Sequence, residues 1–265
     1  MGEKVALVTG VSSGIGQAVA SGLTKAGYRV FGSVRSGRPP EGVESVLLDV
    51  RDPVSIEAAV AGILEKAGRV DVLVNNAGGT LVGAIEETDT AQAQALFDVN
   101  FFGAVRATQA VLPAMRAQRS GRIIFVSSVV GFLPAPFMGF YAASKHAIEG
   151  YSESLDHEIR GFGVRALLVQ PGFVRTHIDQ NASRANRHLD AYAALGQRVG
   201  DSFSASIEKG DDPQVVARMV VSAAEAKKPR LRYPVGRNAA AVSRLRRFVP
   251  ASLFDRPLRK EFGLD

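Results

Sequence analysis

The chain has 265 residues, of which 46% are hydrophobic and 22% charged, so it is long enough for one large α/β domain or two small ones with a substantial core. It contains no cysteine, which excludes a disulfide framework, a thiolate metal site and a cysteine nucleophile and is compatible with a reducing, cytoplasmic location. The four histidines have no convincing metal-ligand spacing, so we expect no metal site.

The formal net charge of +6 is concentrated near the C-terminus. Between Lys227 and Lys260 there are eleven lysines and arginines against one acid, whereas the rest of the chain has 21 bases and 25 acids. The main part of the chain is therefore mildly acidic, and we expect no nucleic acid partner. The apolar runs are far shorter than the roughly 20 residues that a membrane span requires, and the N-terminal run ends at a glycine turn, so we expect neither a membrane helix nor a signal peptide.

Short β-rich runs alternate with amphipathic helical stretches. In chain order the pattern predicts a strand at 5–9, a helix to about 26, strands at 28–34 and 43–48, a helix at 55–66, a strand at 70–74, a long helix at about 90–119, a strand at 122–127, a helix at about 140–161 and a strand at 164–169. The polar, poorly periodic segment 173–211 is interpreted as a loop or substrate lid. A helix at about 213–226, a strand at 230–235 and a basic C-terminal extension, 237–265, complete the chain.

The predicted strands have continuous apolar runs, which is typical of parallel strands that are covered on both faces. We therefore predict a single α/β domain over residues 1–265. Its architecture is a doubly wound parallel sheet of about seven strands, with helices on both faces and right-handed crossovers.

A glycine-rich turn, Thr9–Gly16, separates the first predicted strand from the first helix. Glycine is needed at such a turn because the backbone bends tightly and approaches a pyrophosphate, whose charge is held by the helix N-terminus. The spacing is Thr-Gly-x-x-x-Gly-x-Gly rather than Gly-x-Gly-x-x-Gly, but the strand, turn and helix context is the same. The turn predicts a dinucleotide site, with a purely structural glycine turn as the alternative.

Further motifs follow at or near predicted strand ends, where ligands bind in open α/β sheets. They are Asn75–Gly78, Asn100 downstream of it, Ser127–Ser128, Tyr141–Lys145 and Pro171–Gly172. With these motifs in this order, the chain resembles the short-chain dehydrogenase/reductase family from residue 4 to about residue 235. The resemblance implies a Rossmann-type domain, a nicotinamide cofactor and interconversion of a carbonyl and an alcohol. The catalytic residues that it implies are Asn100, Ser128, Tyr141 and Lys145.

These residue types suit carbonyl reduction. A carbonyl that receives hydride needs a proton, which Tyr141 can supply, and Lys145 lies four residues on, on the same helix face. A cation about 4 Å away is worth roughly 4 kcal/mol at an effective dielectric constant of 20, so we expect Lys145 to lower the pKa of Tyr141 from about 10 toward 7. By resemblance, Lys145 also bonds the nicotinamide ribose, and Asn100 positions a water that passes protons to bulk solvent.

Two adjacent serines compete for the remaining catalytic position. The family places its serine about 13 residues before the tyrosine, and adjacent side chains alternate in direction near a strand end. We therefore predict that Ser128, rather than Ser127, holds the substrate oxygen.

The end of the second predicted strand favours NADP(H) over NAD(H). Val34 stands where an acidic residue would bond the adenosine ribose, and Arg35 follows it with a guanidinium that can pair with a 2′-phosphate; a solvated loop arginine is the alternative. By resemblance, Asp49 and Val50 contact the adenine. The predicted cofactor-binding residues are Gly10, Ser12, Ser13, Gly14, Ile15, Gly16, Arg35, Asp49, Val50, Asn76, Ala77, Gly78, Tyr141, Lys145, Pro171, Gly172, Val174 and Thr176.

The segment Gly131–Phe140 is almost wholly apolar, and Phe173 begins the lid, so an ionic substrate would find few partners there. Packing of each of these aromatic or Met side chains into the core is the alternative. Together with 171–176 and 232–236, the segment resembles the branch of hydroxysteroid and retinol dehydrogenases. We expect a bulky apolar substrate that is steroid-, retinoid- or aryl-like. A non-catalytic nucleotide-binding sensor or scaffold is the alternative function, and its usual sign, a missing catalytic residue, is absent.

In the basic extension, Val242, Leu245, Phe248 and Val249 fall roughly on one helical face among arginines. This pattern is compatible with a weak contact between an interfacial helix and a membrane surface. A helix packed over the substrate cleft or at a subunit contact is the alternative. The family resemblance further implies a homodimer or homotetramer through the long helices at 90–119 and 140–161.

Overall fold

A computed structural model describes residues 3–34, 37–236, 239–261 and 264. The strands in this part of the chain are β1 (Lys4–Val8), β2 (Tyr28–Val34), β3 (Val43–Leu47), β4 (Val72–Asn75), β5 (Leu81–Val82), β6 (Gly121–Val126), β7 (Val164–Pro171), β8 (Ser183–Arg184) and β9 (Arg232–Val235). The helices are α1 (Gly14–Lys25), α2 (Pro53–Ala67), α3 (Thr90–Phe97), α4 (Gly103–Gln118), α5 (Gly139–Ile159), α6 (Asp190–Glu208), α7 (Pro213–Glu225), α8 (Ala239–Phe248) and α9 (Ala251–Glu261).

Seven of the strands form one parallel sheet in the order β3-β2-β1-β4-β6-β7-β9, and β5 pairs with β8 beside it. From β1 the chain builds the sheet outward to β3, and from β4 it builds in the opposite direction to β9. In open α/β sheets a ligand crevice lies at the carboxyl ends of the strands where the order reverses, here between β1 and β4. The prediction of one Rossmann-type, doubly wound domain with a seven-stranded parallel sheet is confirmed.

Both faces of the sheet are buried because successive side chains of a strand point to opposite faces. In β1, Ala6 and Val8 pack in a layer with α1 and α7, whereas Val5 and Leu7 pack in a layer with α2, α4 and α5. The strands therefore have continuous apolar runs in the sequence.

A buried carboxylate joins α5 to β7. Asp156 accepts hydrogen bonds from Arg165 Nε at 2.7 Å and from the Ala166 N–H at 3.1 Å, and Arg160 also donates to it. Burial alone would raise the pKa of Asp156, but the hydrogen bonds from Arg165, Arg160 and Ala166 hold it below its usual value. This contact fixes α5, the helix that carries Tyr141, against the sheet.

Two predicted segments differ from the structure. The helix predicted at 90–119 is interrupted by a wide, π-helical turn, Asp98–Phe102, between α3 and α4. The segment 173–211, predicted as irregular, contains the 19-residue helix α6. Its buried residues are Val199 and Ile207 alone, so the sequence has too few apolar positions to reveal a helical period. In the described ranges, no helix is long and apolar enough to cross a membrane.

Candidate active site

The turn between β1 and α1 is closely packed. Gly10 and Gly14 have φ angles of +72° and +58°, in the left-handed region that favours glycine. A Cβ at Gly16 would lie 2.0 Å from the Gly10 carbonyl oxygen and 2.4 Å from Asn76 Nδ2, so no side chain fits there. The Ser13 side chain does not cap α1, which leaves the N–H groups of the first turn for another acceptor. This geometry suits a bound phosphate group.

Thr9, which sequence reasoning did not place among the site residues, joins this turn to the end of β4. Its Oγ1 accepts hydrogen bonds from the N–H groups of Asn76 and Ala77, both at 3.0 Å. In return, Asn76 Nδ2 donates to the carbonyl oxygens of Thr9 and Gly10 at 2.9 and 3.0 Å. The threonine at the head of the glycine motif is the sequence signal that could have identified it.

Asn100 lies in the wide turn between α3 and α4 and is 3% exposed. Its Oδ1 accepts from the Gly79 N–H at 2.8 Å, and its Nδ2 donates to the Gly79 carbonyl at 3.0 Å and to Ser144 Oγ at 3.1 Å. Both donors of the amide are therefore used within the protein. Asn100 holds the loop after β4 against α5, and its role in positioning a water stays a prediction.

Ser127 and Ser128 follow β6 and point in different directions. Ser128 is hydrogen-bonded to Tyr141, and its Oγ also accepts from the Val130 N–H at 3.3 Å. Ser127 is buried, its Oγ would lie 2.6 Å from a Cβ at Gly131, and it has no hydrogen-bond partner in the described part of the chain. The serine beside the tyrosine is thus Ser128.

Tyr141 and Lys145 lie one turn apart at the start of α5. Lys145 Nζ is 5.8 Å from the centre of the Tyr141 ring and donates a hydrogen bond to the Val126 carbonyl oxygen at 2.9 Å. Burial raises the pKa of Tyr141 to about 12, opposed by the hydrogen bond with Ser128. The expected pKa near 7 is therefore wrong for this structure, because the loss of hydration raises the pKa and the hydrogen bond with Ser128, rather than Lys145, is what opposes it.

The segment after β7 returns over the glycine turn. Val174 is buried, and Thr176 Cγ2 would lie 3.2 Å from a Cβ at Gly14. A cavity of about 400 Å³ lies at this point and is lined in part by Ser13, Gly14 and Thr176. A dinucleotide fits this edge, because the turn offers backbone donors and no side chain fills the space at its glycines.

The residues predicted at the adenosine end are only partly described. Asp49 follows β3 and pairs with Arg51, with 2.6 Å between the charged atoms. Val50 is buried, and its Cβ would lie 2.8 Å from a Cβ at Gly103. Arg35 lies outside the described residues, so its contact with a phosphate stays a prediction, as do the adenine contacts.

One edge of the sheet thus gathers the predicted residues that follow β1, β4, β6 and β7. They are Gly10, Ser12, Ser13, Gly14, Ile15, Gly16, Asn76, Ala77, Gly78, Ser128, Pro171, Gly172, Val174 and Thr176. Tyr141 and Lys145 reach the same edge from α5 through Ser128 and Val126. Within the described ranges, no group of three His, Asp or Glu residues could hold a metal ion.

An apolar cluster borders Tyr141. Its buried members are Ala135, Met138, Ala142 and Val199, and the side chains packed against them are Val82, Val130, Phe137, Tyr141, Phe203, Leu258 and Leu264. Phe137 joins it with a φ of +58°, which is unusual for a residue with a side chain. Because Leu258 lies in α9, the C-terminal extension packs over this side of the site, which is one of the alternatives left open by the sequence.

The fold and this residue set define an oxidoreductase of the short-chain, nucleotide-binding class. The chain belongs to the short-chain dehydrogenase family, since the family model described as "short chain dehydrogenase" matches residues 4–187.

Two curated relatives cover most of the chain. A 3-ketodihydrosphingosine reductase from Bacteroides thetaiotaomicron is 37% identical over 246 residues, which cover 89% of each chain. A 17-beta-hydroxysteroid dehydrogenase type 1 from Mus musculus is 35% identical over 261 residues, which cover 88% of this chain and 74% of that protein. Both are similar to this chain in sequence, and their names indicate two different substrates.

Solved structures give the same fold. A short-chain dehydrogenase from Streptomyces avermitilis has a TM-score of 0.85 and 35% identity, covering 99% of this chain and 98% of its own. One from Burkholderia phymatum in complex with NAD has a TM-score of 0.80 and 25% identity, covering 96% and 95%. A metagenomic oxidoreductase in complex with NADP has a TM-score of 0.67 and 30% identity, covering 88% and 96%.

Proposed function

We propose that this protein is an NADP(H)-dependent oxidoreductase that interconverts a ketone or aldehyde and an alcohol on a bulky apolar substrate. The observation that carries the proposal is the contact of Tyr141 with Ser128 on one side, Lys145 on another and an apolar cluster on a third. A non-catalytic sensor or scaffold gains no support, because all four catalytic residue types are present.

The mechanism follows from the protonation states of these groups. A reduced nicotinamide, when bound, supplies the hydride. Ser128 donates a hydrogen bond to the substrate oxygen, and Tyr141 gives its proton to the same oxygen as the alcohol forms. Because burial raises the pKa of Tyr141 to about 12, the phenol keeps its proton at neutral pH, which is the form that reduction needs. Lys145 stabilises the phenolate that remains and bonds the nicotinamide ribose.

The preference for NADP(H) rests on the sequence around Arg35. Val34, rather than an acid that would repel a 2′-phosphate, ends β2, and the guanidinium of Arg35 next to it pairs with phosphate through charge-assisted hydrogen bonds. Such a pair is worth about 1.5–3 kcal/mol, or roughly a 10- to 100-fold preference in kcat/KM. Arg35→Ala should remove most of this preference, and Arg38→Ala, an exposed arginine three residues on, is the matched control.

The substrate class is argued from the apolar cluster. The partly buried Phe137 and Phe203 offer apolar contact and no charge beside Tyr141, whereas Met138 packs into the cluster, so an extended or polycyclic apolar body fits better than a polar one. Steroid, retinoid and aryl carbonyls suit this surface. The name of the Bacteroides relative adds a long-chain ketone to the classes worth testing.

A panel of carbonyl compounds tests this function. The protein is assayed with a steroid ketone, retinal, an aryl ketone and a long-chain 3-ketone, each with NADPH and with NADH. We expect turnover of at least one apolar ketone or aldehyde, with kcat/KM at least about tenfold higher for NADPH. Equal rates with NADH contradict the cofactor proposal, and no oxidation of either cofactor by any compound contradicts the enzyme proposal.

We further propose that the basic extension makes weak contact with an anionic membrane surface in the cytoplasm. Leu245, Phe248 and Leu253 are 49%, 78% and 67% exposed on α8 and α9, in a segment rich in arginine. Phe248→Ser with Leu253→Ser should reduce co-sedimentation with vesicles that contain phosphatidylglycerol. The matched control is Leu47→Ser with Val54→Ser, two exposed apolar residues that are distant from the extension in the sequence. An equal loss of co-sedimentation in both double variants contradicts the proposal.

The oligomeric state is also proposed rather than seen. The family resemblance favours a homodimer or homotetramer through the helices at 90–119 and 140–161, and Phe102, in the wide turn of the first of these segments, is 48% exposed. Light scattering coupled to gel filtration distinguishes these assemblies from a monomer.

A further inference from the structure

A row of polar residues continues below the catalytic pair on the same face of α5. Tyr141, Lys145, Glu149 and Glu153 follow one another at intervals of four residues, so they lie on successive turns of one helix face. Glu149 is 7% exposed, which is unusual for a glutamate. Its carboxylate therefore lies inside the protein, one turn from the lysine.

Two strands hold this carboxylate in place. Glu149 Oε1 accepts a hydrogen bond from Gln170 Nε2 of β7 at 2.9 Å, and Oε2 accepts from Arg232 Nε of β9 at 3.0 Å. Arg232 also donates to Glu153 at 2.8 Å, nearer the surface. Because both oxygens are engaged by different strands, the negative charge of Glu149 is fixed relative to the sheet.

The same carboxylate packs behind the loop that carries the catalytic serine. A Cβ at Gly131 would lie 2.6 Å from Ser127 Oγ and 3.1 Å from Glu149 Cγ, so only glycine fits between the loop and the helix. Glu149 thus lies behind the loop that carries Ser127 and Ser128, one helical turn from Lys145.

The electrostatic effect of this placement has a definite sign. Burial lowers the pKa of Lys145 to about 8, and the nearby charge of Glu149 opposes that change. The described contacts bring three other titratable or charged groups to the pair and its partners: Tyr141 and Glu153 on α5, and Arg232 on β9. From the described strands β6 and β7, the Val126 carbonyl contacts Lys145 and the Gln170 amide contacts Glu149.

Stability alone is a poor reason for this arrangement, because removing an ion pair from water costs about as much as its attraction returns. We propose that Glu149 is a positioning residue of the reaction, held by Gln170 and Arg232 so that it keeps Lys145 in its charged form while Tyr141 transfers its proton. The inference rests on the proposed function, since it assigns a role relative to the same lysine.

Glu149→Gln tests the inference with a matched control. It removes the charge but keeps the shape, whereas Glu153→Gln removes a carboxylate that is bound to the same arginine and is 48% exposed at its side chain. The readouts are the pH profile of kcat at saturating NADPH and ketone, and the pH dependence of NADPH binding by fluorescence. Without the carboxylate, Lys145 loses its proton at lower pH.

We expect the alkaline limb of the Glu149→Gln profile to move to lower pH by about one unit, which is about tenfold less activity on that limb, with no movement in Glu153→Gln. Glu149→Asp keeps the negative charge, so the limb should move less than in Glu149→Gln. If Glu149→Gln does not fold, Gln170→Leu is the second variant: it removes one of the two hydrogen bonds that hold the Glu149 carboxylate and changes no charge, and the limb should move to lower pH by a smaller amount.

An unshifted profile in folded Glu149→Gln overturns the inference, and so does an equal shift in Glu153→Gln. If the wild-type protein turns over no carbonyl compound, it is the proposed function that fails. In that case the pH dependence of NADPH binding decides the inference separately, with unchanged dependence in Glu149→Gln overturning it.

Discussion

Replacement of Asn100 by alanine should cost both stability and activity. The amide makes three hydrogen bonds, two with Gly79 and one with Ser144. Each is worth about 0.5–1.5 kcal/mol net, and because Gly79 is partly exposed, water can replace some of the lost partners. We therefore expect Asn100→Ala to lower the free energy of unfolding by about 2–4 kcal/mol.

A thermal melt measures this loss directly. At roughly 2–4 °C per kcal/mol for a protein of this size, the midpoint should fall by about 5–15 °C. Gln197→Ala, which removes an exposed amide bonded to Asp201, should shift the midpoint by less than about 2 °C. Because the loop after β4 is then released from α5, the affinity for NADPH should also fall.

The two readouts separate the structural role from a role in the chemistry. A midpoint within 2 °C of the wild-type value, with NADPH affinity unchanged, would refute the view that Asn100 holds the loop. A stable variant that binds NADPH normally and has lost turnover would instead assign its main role to proton transfer.

Two other substitutions test the packing that supports the site. Asp156→Asn should destabilise the protein by about 3–5 kcal/mol, because it leaves Arg165 without its buried partner. The native fold lowers the pKa of Asp156, so the ionised carboxylate stabilises the fold fully above its unfolded pKa of about 4. That stabilisation is lost as the pH falls through the native pKa. The difference in stability between Asp156→Asn and the wild-type protein in urea melts should therefore shrink in acid. Gly16→Ala places a Cβ 2.0 Å from the Gly10 carbonyl and should weaken NADPH binding at least about tenfold, measured by fluorescence titration. Gly62→Ala in α2, where a Cβ meets nothing within 4 Å, should bind NADPH normally; equal loss in both variants contradicts the reasoning.

The sequence predicted most of the architecture, because the signals for it are local. Continuous apolar runs indicated parallel strands, and the glycine turn indicated where β1 passes into α1. The family spacing before Tyr141 and the alternation of side chains at a strand end together favoured Ser128 over Ser127. The helix α6 was missed since it buries only Val199 and Ile207, which leaves little apolar period in its sequence.

What the sequence could not provide depends on distant contacts. Glu149 is 83 residues from its partner Arg232, so no spacing rule joins them. The break between α3 and α4 coincides with Asn100, whose partner Gly79 is 21 residues away. The pKa of Tyr141 also depends on burial, which counting the four residues to Lys145 does not measure.

The central claim is that Tyr141 transfers the proton in carbonyl reduction. The most direct measurement compares the wild-type protein with Tyr141→Phe in a single-turnover reaction with NADPH and the best ketone of the panel, alongside NADPH binding. We predict that the variant binds NADPH with nearly the wild-type affinity and reduces the ketone at least about 100-fold more slowly. Near-normal turnover by Tyr141→Phe would contradict this account.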